Sequence, residues 1–598
     1  MADHPTISTE SDLTSPTQPT TAVTRRSLLG GAGIAVGAAV LASPPGMSGV
    51  APAAAQTVGV SVDVRPLDAA FKRRAFEVRQ ACASNNEKIP IPPHPANGDE
   101  ARYTNKIGSD TRGLPHDKRG EVEQAAWQTL YAACQSGEAA DFEKILLGGT
   151  RKLVNPLGTQ AVSLSGVNPT QIAIPPAPAL ASAERGGEAV EVYWQSLLRD
   201  VPLTELRDDT SHREVLAATE ELTKLADFRG PKSGGRVTPG TLFRANVLYF
   251  DPTDPKGRSV TPPGVLDGPL ISQFLLRDVP YSAQWISAQI RTALPASEFL
   301  TEYDEWLAIQ NGAASKRRLQ FDTTPRYITT GRDLAEYVRA LPALGWAAAL
   351  MLATPGGGAD PRYTGMYPPA DPVSYPSDPY RKSKTQGPGG GTFGLPYVQA
   401  LLTTGISNSV RASYWQKYFV HRAVRPEAYG GLAHHRLANG VSDYPLHESF
   451  LKSEALDRSK AKYGSYLLSQ TYPEGAPLHS TYPGGATGVG AVTATILKAF
   501  FDESRVIANP VQPDPADPTK LVPFSGPPLT VGGELNKLAV NFGFGRNWSG
   551  IHWRSDASAS MAIGEEVAIG MLRDERMTLR EPFDGFSFTR FDGSRVTI

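Results

Sequence analysis

Cysteine is almost missing from this chain. Cys82 and Cys134 are the only two in 598 residues, and their spacing fits neither a metal-ligand nor a redox motif. That excludes a disulfide framework or a thiolate metal centre and leaves either two helix-buried thiols or a single disulfide. Net charge is missing too: 59 Lys and Arg stand against 60 Asp and Glu. The balance removes any whole-chain argument for nucleic acid or an anionic membrane surface, so a small molecule is the default partner. No segment is apolar for long enough to be a comfortable membrane span.

The nearest approach to one is TRRSLLGGAGIAVGAAVLAS, a short Gly/Ala-rich stretch behind Arg25-Arg26, followed by small-residue cleavage sites in APAAAQ, for instance after Ala55. It resembles a twin-arginine export signal, so residues 1–55 are read as a leader, the alternative being a disordered basic segment. If the signal is functional, the protein is exported.

Beyond the leader the periodicity is helical. GEAVEVYWQSLLRDV sets Val190, Tyr193, Trp194, Leu197 and Leu198 on one stripe, the mark of a helix against a core. Similar patterns cover Ala69–Cys82, Val122–Ala133, His212–Ala226, Leu334–Leu352, Tyr397–Val424, Val489–Phe501 and His552–Leu572, and strand-like alternation is scarce. An all-α fold of helical bundles follows. The expected division is an N-terminal helical region over 56–240 and a C-terminal bundle over 241–598 that carries the site. Two long Pro/Gly segments, Thr354–Pro396 and Ile507–Pro528, read as lids or binding loops, or else as plain disorder. Tyr363, Tyr367, Tyr375 and Tyr380 in the first would suit the wall of an apolar pocket.

Three stretches carry chemistry. In WQKYFVHRAVRPEAYGG, Lys417 sits within a helix, and Arg425 precedes Pro426, which pushes it out of the α region and aims its guanidinium. In HSTYPGGATGVGAV a proline and two glycines turn the chain into a helix of small residues, so bare N–H groups at the helix start offer an anion cradle. The turn itself carries no nucleophile, acid or base. In GFGRNWSGIHWRSDASA, Arg546 and His552 flank a short turn, and Asp556 lies one helical turn on, in reach of the imidazole. Together these parts suit a phosphate-like oxyanion.

Lysine, Arg-Pro, a Pro-Gly turn and Arg-x5-His-x3-Asp resemble the vanadium-dependent haloperoxidases, which share a fold with a superfamily of acid phosphatases. NGDEARYTNKIGSDTRGLPH, AIPPAPALASAE and GPLISQFLLRDVPY are similar to the algal bromoperoxidase branch. The resemblance implies two four-helix bundles with the site in the C-terminal one. It implies that Lys417, Arg425 and Arg546 match the cations that neutralise vanadate, Gly485 the backbone N–H that binds it, and His552 the histidine bonded to the metal.

Two positions depart from the pattern. The family turn reads HPSYPSGHAT, so Gly484 replaces the serine that hydrogen-bonds vanadate and Ala486 replaces the acid–base histidine. His479 matches another histidine of the algal turn and is the substitute at hand. The chain further resembles a napyradiomycin-type actinobacterial branch, one member of which rearranges an α-hydroxyketone without vanadium. This implies a cofactor-independent 1,2-shift of a prenylated naphthoquinone intermediate, with no cofactor, Lys417, Arg425 and Arg546 as the cradle, and His552 as base with His479 and His421 in reserve. The alternatives are a vanadate-dependent chloro- or bromoperoxidase acting on a meroterpenoid and a non-catalytic anion-binding relative. The partner in each active case is a prenylated aromatic small molecule, and a homodimer is an open assembly.

Overall fold

The computed structural model describes residues 65–598 apart from 209–210, 282–283, 340–343, 354–378 and 387–390. The leader and Tyr363, Tyr367 and Tyr375 lie outside the described residues. The helices that position the site are α1 (Ala183–Leu198), α2 (Arg213–Lys224), α3 (Leu395–Trp415), α4 (Pro426–Ala438), α5 (Glu454–Tyr463), α6 (Gly485–Phe500), α7 (Val531–Trp548) and α8 (Arg554–Thr578). Among the described residues, strands are confined to four two-stranded antiparallel sheets. The fold is mostly helical, as the periodicity predicts.

Helices α3, α6, α7 and α8 form one bundle, with α6 packed against the other three. Every residue of α6 is buried, which suits a sequence, GATGVGAVTATILKAF, that is apolar or small on all sides. Small residues let backbones approach: a Cβ built on Gly564 of α8 would lie 2.7 Å from both Ala491 Cβ and Val492 N of α6. The second cluster sets α1 against α2, α5 and the helical turn Glu448–Leu451. Val190, Tyr193, Trp194 and Leu198 of the predicted stripe are buried, but so are Glu188 and Glu191 on other faces. Helix α1 is wrapped because its carboxylates are paired: Glu188 with Arg185 at 2.7 Å, and Glu191 with Arg554 of α8. One apolar core runs from Tyr193 and Trp194 through Tyr429 to Trp553, so residues on both sides of position 240 share it. Leu67–Ile598 is accordingly one compact unit.

Three expectations need correction. The helix read over Leu334–Leu352 is two, Gly331–Tyr337, which ends on Val338, and Leu344–Ala353. The one read over Tyr397–Val424 ends earlier: α3 passes into a π turn, Gln416–His421, and stops at Arg422, whose φ is +33°. The Ile507–Pro528 segment holds a short hairpin, Val511–Pro513 with Leu521–Pro523. Cys82 and Cys134 are free thiols.

The α6–α8 crossing supplies a stability test. Gly564→Ala must separate the two backbones, and such overpacking costs about 1–3 kcal/mol. Urea unfolding should show that loss, and an unchanged midpoint would mean that the crossing gives way freely.

Candidate active site

Four distant segments meet at the N-terminal end of α6. The π turn after α3 brings Lys417, which is buried and donates to the carbonyls of Ser480 and Thr481, each at 2.7 Å. Such turns recur at functional sites because they re-aim side chains. Burial, with Arg425 beside it, drives the Lys417 ammonium well below its ordinary pKa.

Arg425 is extended (φ −81°, ψ 154°) at the start of α4, as a residue before proline should be. Its guanidinium is fully buried, and all its N–H groups are engaged. Nε donates to the His479 carbonyl at 3.2 Å, and one terminal nitrogen to the Ile551 carbonyl at 2.7 Å and His552 Nε2 at 3.2 Å. The other lies 3.0 Å from both His479 Nδ1 and the His479 carbonyl. The guanidinium thus joins the anion turn to the His552 turn.

His552 lies just before α8. Its Nδ1 is 2.7 Å from Asp556 Oδ2, which also accepts from Trp553 N at 2.9 Å and from Thr481 Oγ1. The predicted i, i+4 contact is present, and the carboxylate caps α8 as well. Burial first, then Arg425, Lys417 and Arg546, hold the His552 imidazole well below its ordinary pKa. His552 is therefore neutral at pH 7, with Nδ1–H toward Asp556 and its Nε2 lone pair toward Arg425. Burial raises the Asp556 carboxyl.

The glycine turn is bare, as its sequence implies. Gly484 N–H donates to the Asp556 carbonyl at 2.8 Å, and a Cβ on Gly484 would come within 3.2 Å of that oxygen. Backbone of α8 thus crowds the position where the family carries serine. Among the described residues, the Gly485 and Ala486 N–H groups donate to no backbone carbonyl outside the helix, so the positive end of α6 is open to an anion. His479 tilts against Tyr414, ring centroids 4.8 Å apart, and burial with Lys417 and Arg425 lowers its pKa well below the usual histidine range.

Not every candidate joins this cluster closely. Arg546, in the last turn of α7, is half-buried; its guanidinium reaches the Arg339 carbonyl at 3.4 Å and lies over the Tyr472 ring. It stands at the rim, near enough to lower the His552 pKa. His421 faces Tyr482 edge-on at 4.8 Å, outside the Arg425 network, and neither ring nitrogen has a hydrogen-bond partner among the described residues. Tyr380 bonds Glu581 at 2.7 Å, away from the cradle.

Sequence reasoning missed Arg112. It is buried, pairs with Asp110 and Glu427, and donates to the carbonyls of Ala476, Pro477 and His479 at 3.0, 2.6 and 3.1 Å. Those bonds fix the strand that delivers the anion turn. Arg112 lies in SDTRGLPH, more than 300 positions upstream of Glu427 and of the carbonyls that it holds, where local pattern carries no signal. Thr481 was missed for the same reason: only the fold brings it to Asp556.

The buried histidines set an acid limit on stability. Burial lowers His421 to about 3, whereas the unfolded chain titrates near ~6.5. The stability it contributes is complete above that unfolded value and is lost as pH falls toward 3, because unfolding then takes up a proton. His421→Leu should flatten the fall of unfolding free energy between pH 6 and 4 by about 1.4 kcal/mol per pH unit. Urea unfolding across that range gives the slope; an unaltered slope would show that folded His421 already carries its proton.

Residues 399–579 match the family described as the VCPO second helical-bundle domain, a span that contains Lys417, Arg425, His479, Gly485, Arg546, His552 and Asp556. The chain is 30% identical over 519 residues to a vanadium-dependent bromoperoxidase of Ascophyllum nodosum, covering 81% of this chain and 86% of that one. It is 29% identical over 617 residues to the vanadium-dependent bromoperoxidase of Corallina pilulifera, covering 88% and 98%. A solved structure, the homohexameric second vanadate-dependent bromoperoxidase of Ascophyllum nodosum, superposes with a TM-score of 0.76 at 28% identity, over 93% of this chain and 94% of that one. With its C-terminal bundle, its buried Arg425–His552–Asp556 network and likeness along most of its length, this chain belongs to the vanadium haloperoxidase family.

Proposed function

We propose that this family member uses the retained cradle for a cofactor-independent 1,2-shift in an α-hydroxyketone of a prenylated naphthoquinone, a step of napyradiomycin-type meroterpenoid biosynthesis. One observation carries the reading. His552 is buried, held at Nδ1 by Asp556 and faced at Nε2 by the Arg425 guanidinium, while positions 484 and 486 offer neither a hydroxyl nor an imidazole. Such a site suits proton transfer and oxyanion stabilisation without an oxidant.

His552 Nε2 takes the proton of the substrate hydroxyl, displacing its long 3.2 Å contact with Arg425. The alkoxide electrons form the new carbonyl, and the substituent migrates with its bonding pair to the neighbouring carbonyl carbon. That carbon's oxygen becomes the new alkoxide and regains the proton. Nothing is oxidised or reduced overall. Arg425, the Gly485 N–H and Arg546 at the rim stabilise the successive oxyanions, and Lys417, held on Ser480 and Thr481, fixes the turn and adds to the positive field. Export by the twin-arginine route belongs to this reading through Arg25-Arg26.

The comparisons favour a second reading, a vanadate-dependent haloperoxidase, because the relatives are named as vanadium-dependent. The donor set fits the charge of vanadate: Arg425, Lys417, Arg546 and Gly485 N–H would hold it, with His552 Nε2 as its ligand. Bound vanadate would supply Lewis-acid activation of hydrogen peroxide. Gly484 and Ala486 stand against a bound cofactor. A lost acid or base costs typically ~10²–10⁴-fold, and the crowding at Gly484 leaves little room for the missing serine.

With chelator present and peroxide absent, the full chain should isomerise a prenylated naphthoquinone α-hydroxyketone with no change of mass, read by liquid chromatography and mass spectrometry. A requirement for vanadate and peroxide, or bromination of monochlorodimedone at ordinary haloperoxidase rates, selects the second reading. Substrate recovered unchanged under both conditions leaves the non-catalytic one. Arg546→Ala and His552→Ala should each lower the rearrangement rate ~10²-fold or more. Arg546→Ala should keep its melting temperature, since half-buried Arg546 makes, among the described residues, one long bond to a carbonyl and a contact with the Tyr472 ring. Full activity in both variants would place the chemistry elsewhere.

A further inference from the structure

Two imidazoles flank the Arg425 guanidinium, and they meet it through different nitrogens. His552 presents Nε2 at 3.2 Å and His479 presents Nδ1 at 3.0 Å. A guanidinium only donates, so the ring nitrogen facing it must carry a lone pair. We infer that Arg425 sets opposite tautomers on these residues, leaving His552 Nε2 as the base and making His479, through Nε2–H, the hydrogen-bond donor to the oxyanion. This rests on the proposed rearrangement for its chemistry, but not for its tautomers.

The His552 half is doubly determined, because Asp556 Oδ2 at 2.7 Å from Nδ1 demands a proton there. At His479 two partners compete for Nδ1, the Arg425 nitrogen at 3.0 Å and the Ser480 carbonyl at 2.9 Å. The first would donate to Nδ1; the second would accept from it. A charge-assisted hydrogen bond is roughly twice as strong as a neutral one. The Ser480 carbonyl moreover already accepts from Lys417 Nζ at 2.7 Å and from Arg425 at 3.4 Å, so both its lone pairs have donors without His479. The lone pair therefore stays on Nδ1 and the proton on Nε2.

His479 Nε2 makes no hydrogen bond among the described residues, and it is absent from the sealed, unpartnered atoms. It is free to donate to a ligand. The ring lies tilted against Tyr414, whose Cε1 is 3.4 Å from the Cβ position of Gly485, which puts it beside the open helix start. His479 thus replaces, as a donor, the imidazole that Ala486 lacks.

Neutron diffraction from full-chain crystals grown in heavy water locates the protons directly. Deuterium on His479 Nε2 and His552 Nδ1 is expected; deuterium on His479 Nδ1 would overturn the assignment. For the role, His479→Gln keeps an N–H near the Nε2 position and should stay within about 10-fold of wild-type turnover, while His479→Leu should fall by ~10²-fold or more. Equal losses in both folded variants would reduce His479 to a structural part and overturn the donor role. If the wild-type protein shows no rearrangement, the proposed reaction fails, and the deuterium positions alone still decide the tautomers.

Discussion

The site depends on the guanidinium of Arg425 being buried and fully hydrogen-bonded. An ion removed from water must recover its lost hydration through donors and acceptors of good geometry. Arg425 recovers it from the carbonyls of His479 and Ile551 and from two imidazoles, and therefore binds the segments that carry them at fixed distances. Arg112 performs the same service one layer away, holding the carbonyls of Ala476, Pro477 and His479 while Asp110 and Glu427 balance its charge. Two buried cations thus clamp one stretch of backbone, and that stretch ends in the glycine turn.

The charge pattern follows from this arrangement. Lys417 and Arg425 share a buried region in which Asp556 and Asp110 lie close enough to oppose them. The cations repel, burial penalises each, and the imidazoles respond by staying neutral. Neutral histidine is also the form that serves as base or as uncharged donor. The same low-dielectric packing that makes the site costly to build makes its hydrogen bonds strong toward a developing oxyanion. Helix α6 contributes the open end of its backbone, and its small residues let α8 close behind it.

The two departures from the family pattern have structural neighbours that give them meaning. At 484 the absent side chain coincides with a direct N–H bond from the turn to the Asp556 carbonyl, so turn and α8 are joined through backbone alone. At 486 an alanine opens the helix where an imidazole would reach into the site, and His479 stands beside the same helix end. Lys417 and Arg425 supply the buried charge of this site, and positions 484 and 486 add neither hydroxyl nor imidazole to it.

Much of this was legible in the sequence. The 3.6-residue period marked the helices, the residue before Pro426 marked an extended arginine, the Pro-Gly turn before small residues marked a bare helix start, and the four-residue step from His552 to Asp556 marked their contact. Each is a local rule, decided by sterics or spacing within a few residues. The helix ends at Tyr337 and Arg422 leave no mark in the apolar pattern, which does not record where a backbone turns. Arg112, Thr481 and the meeting of Arg425 with both imidazoles were beyond reach, since their partners lie tens to hundreds of positions away and polar contacts at that range follow no period. The sequence by itself determined which groups are present, and that positions 484 and 486 bring neither a hydroxyl nor an imidazole. Only the tertiary structure decided which ring nitrogen of each histidine faces a cation, because that depends on burial and on the direction from which a distant guanidinium arrives.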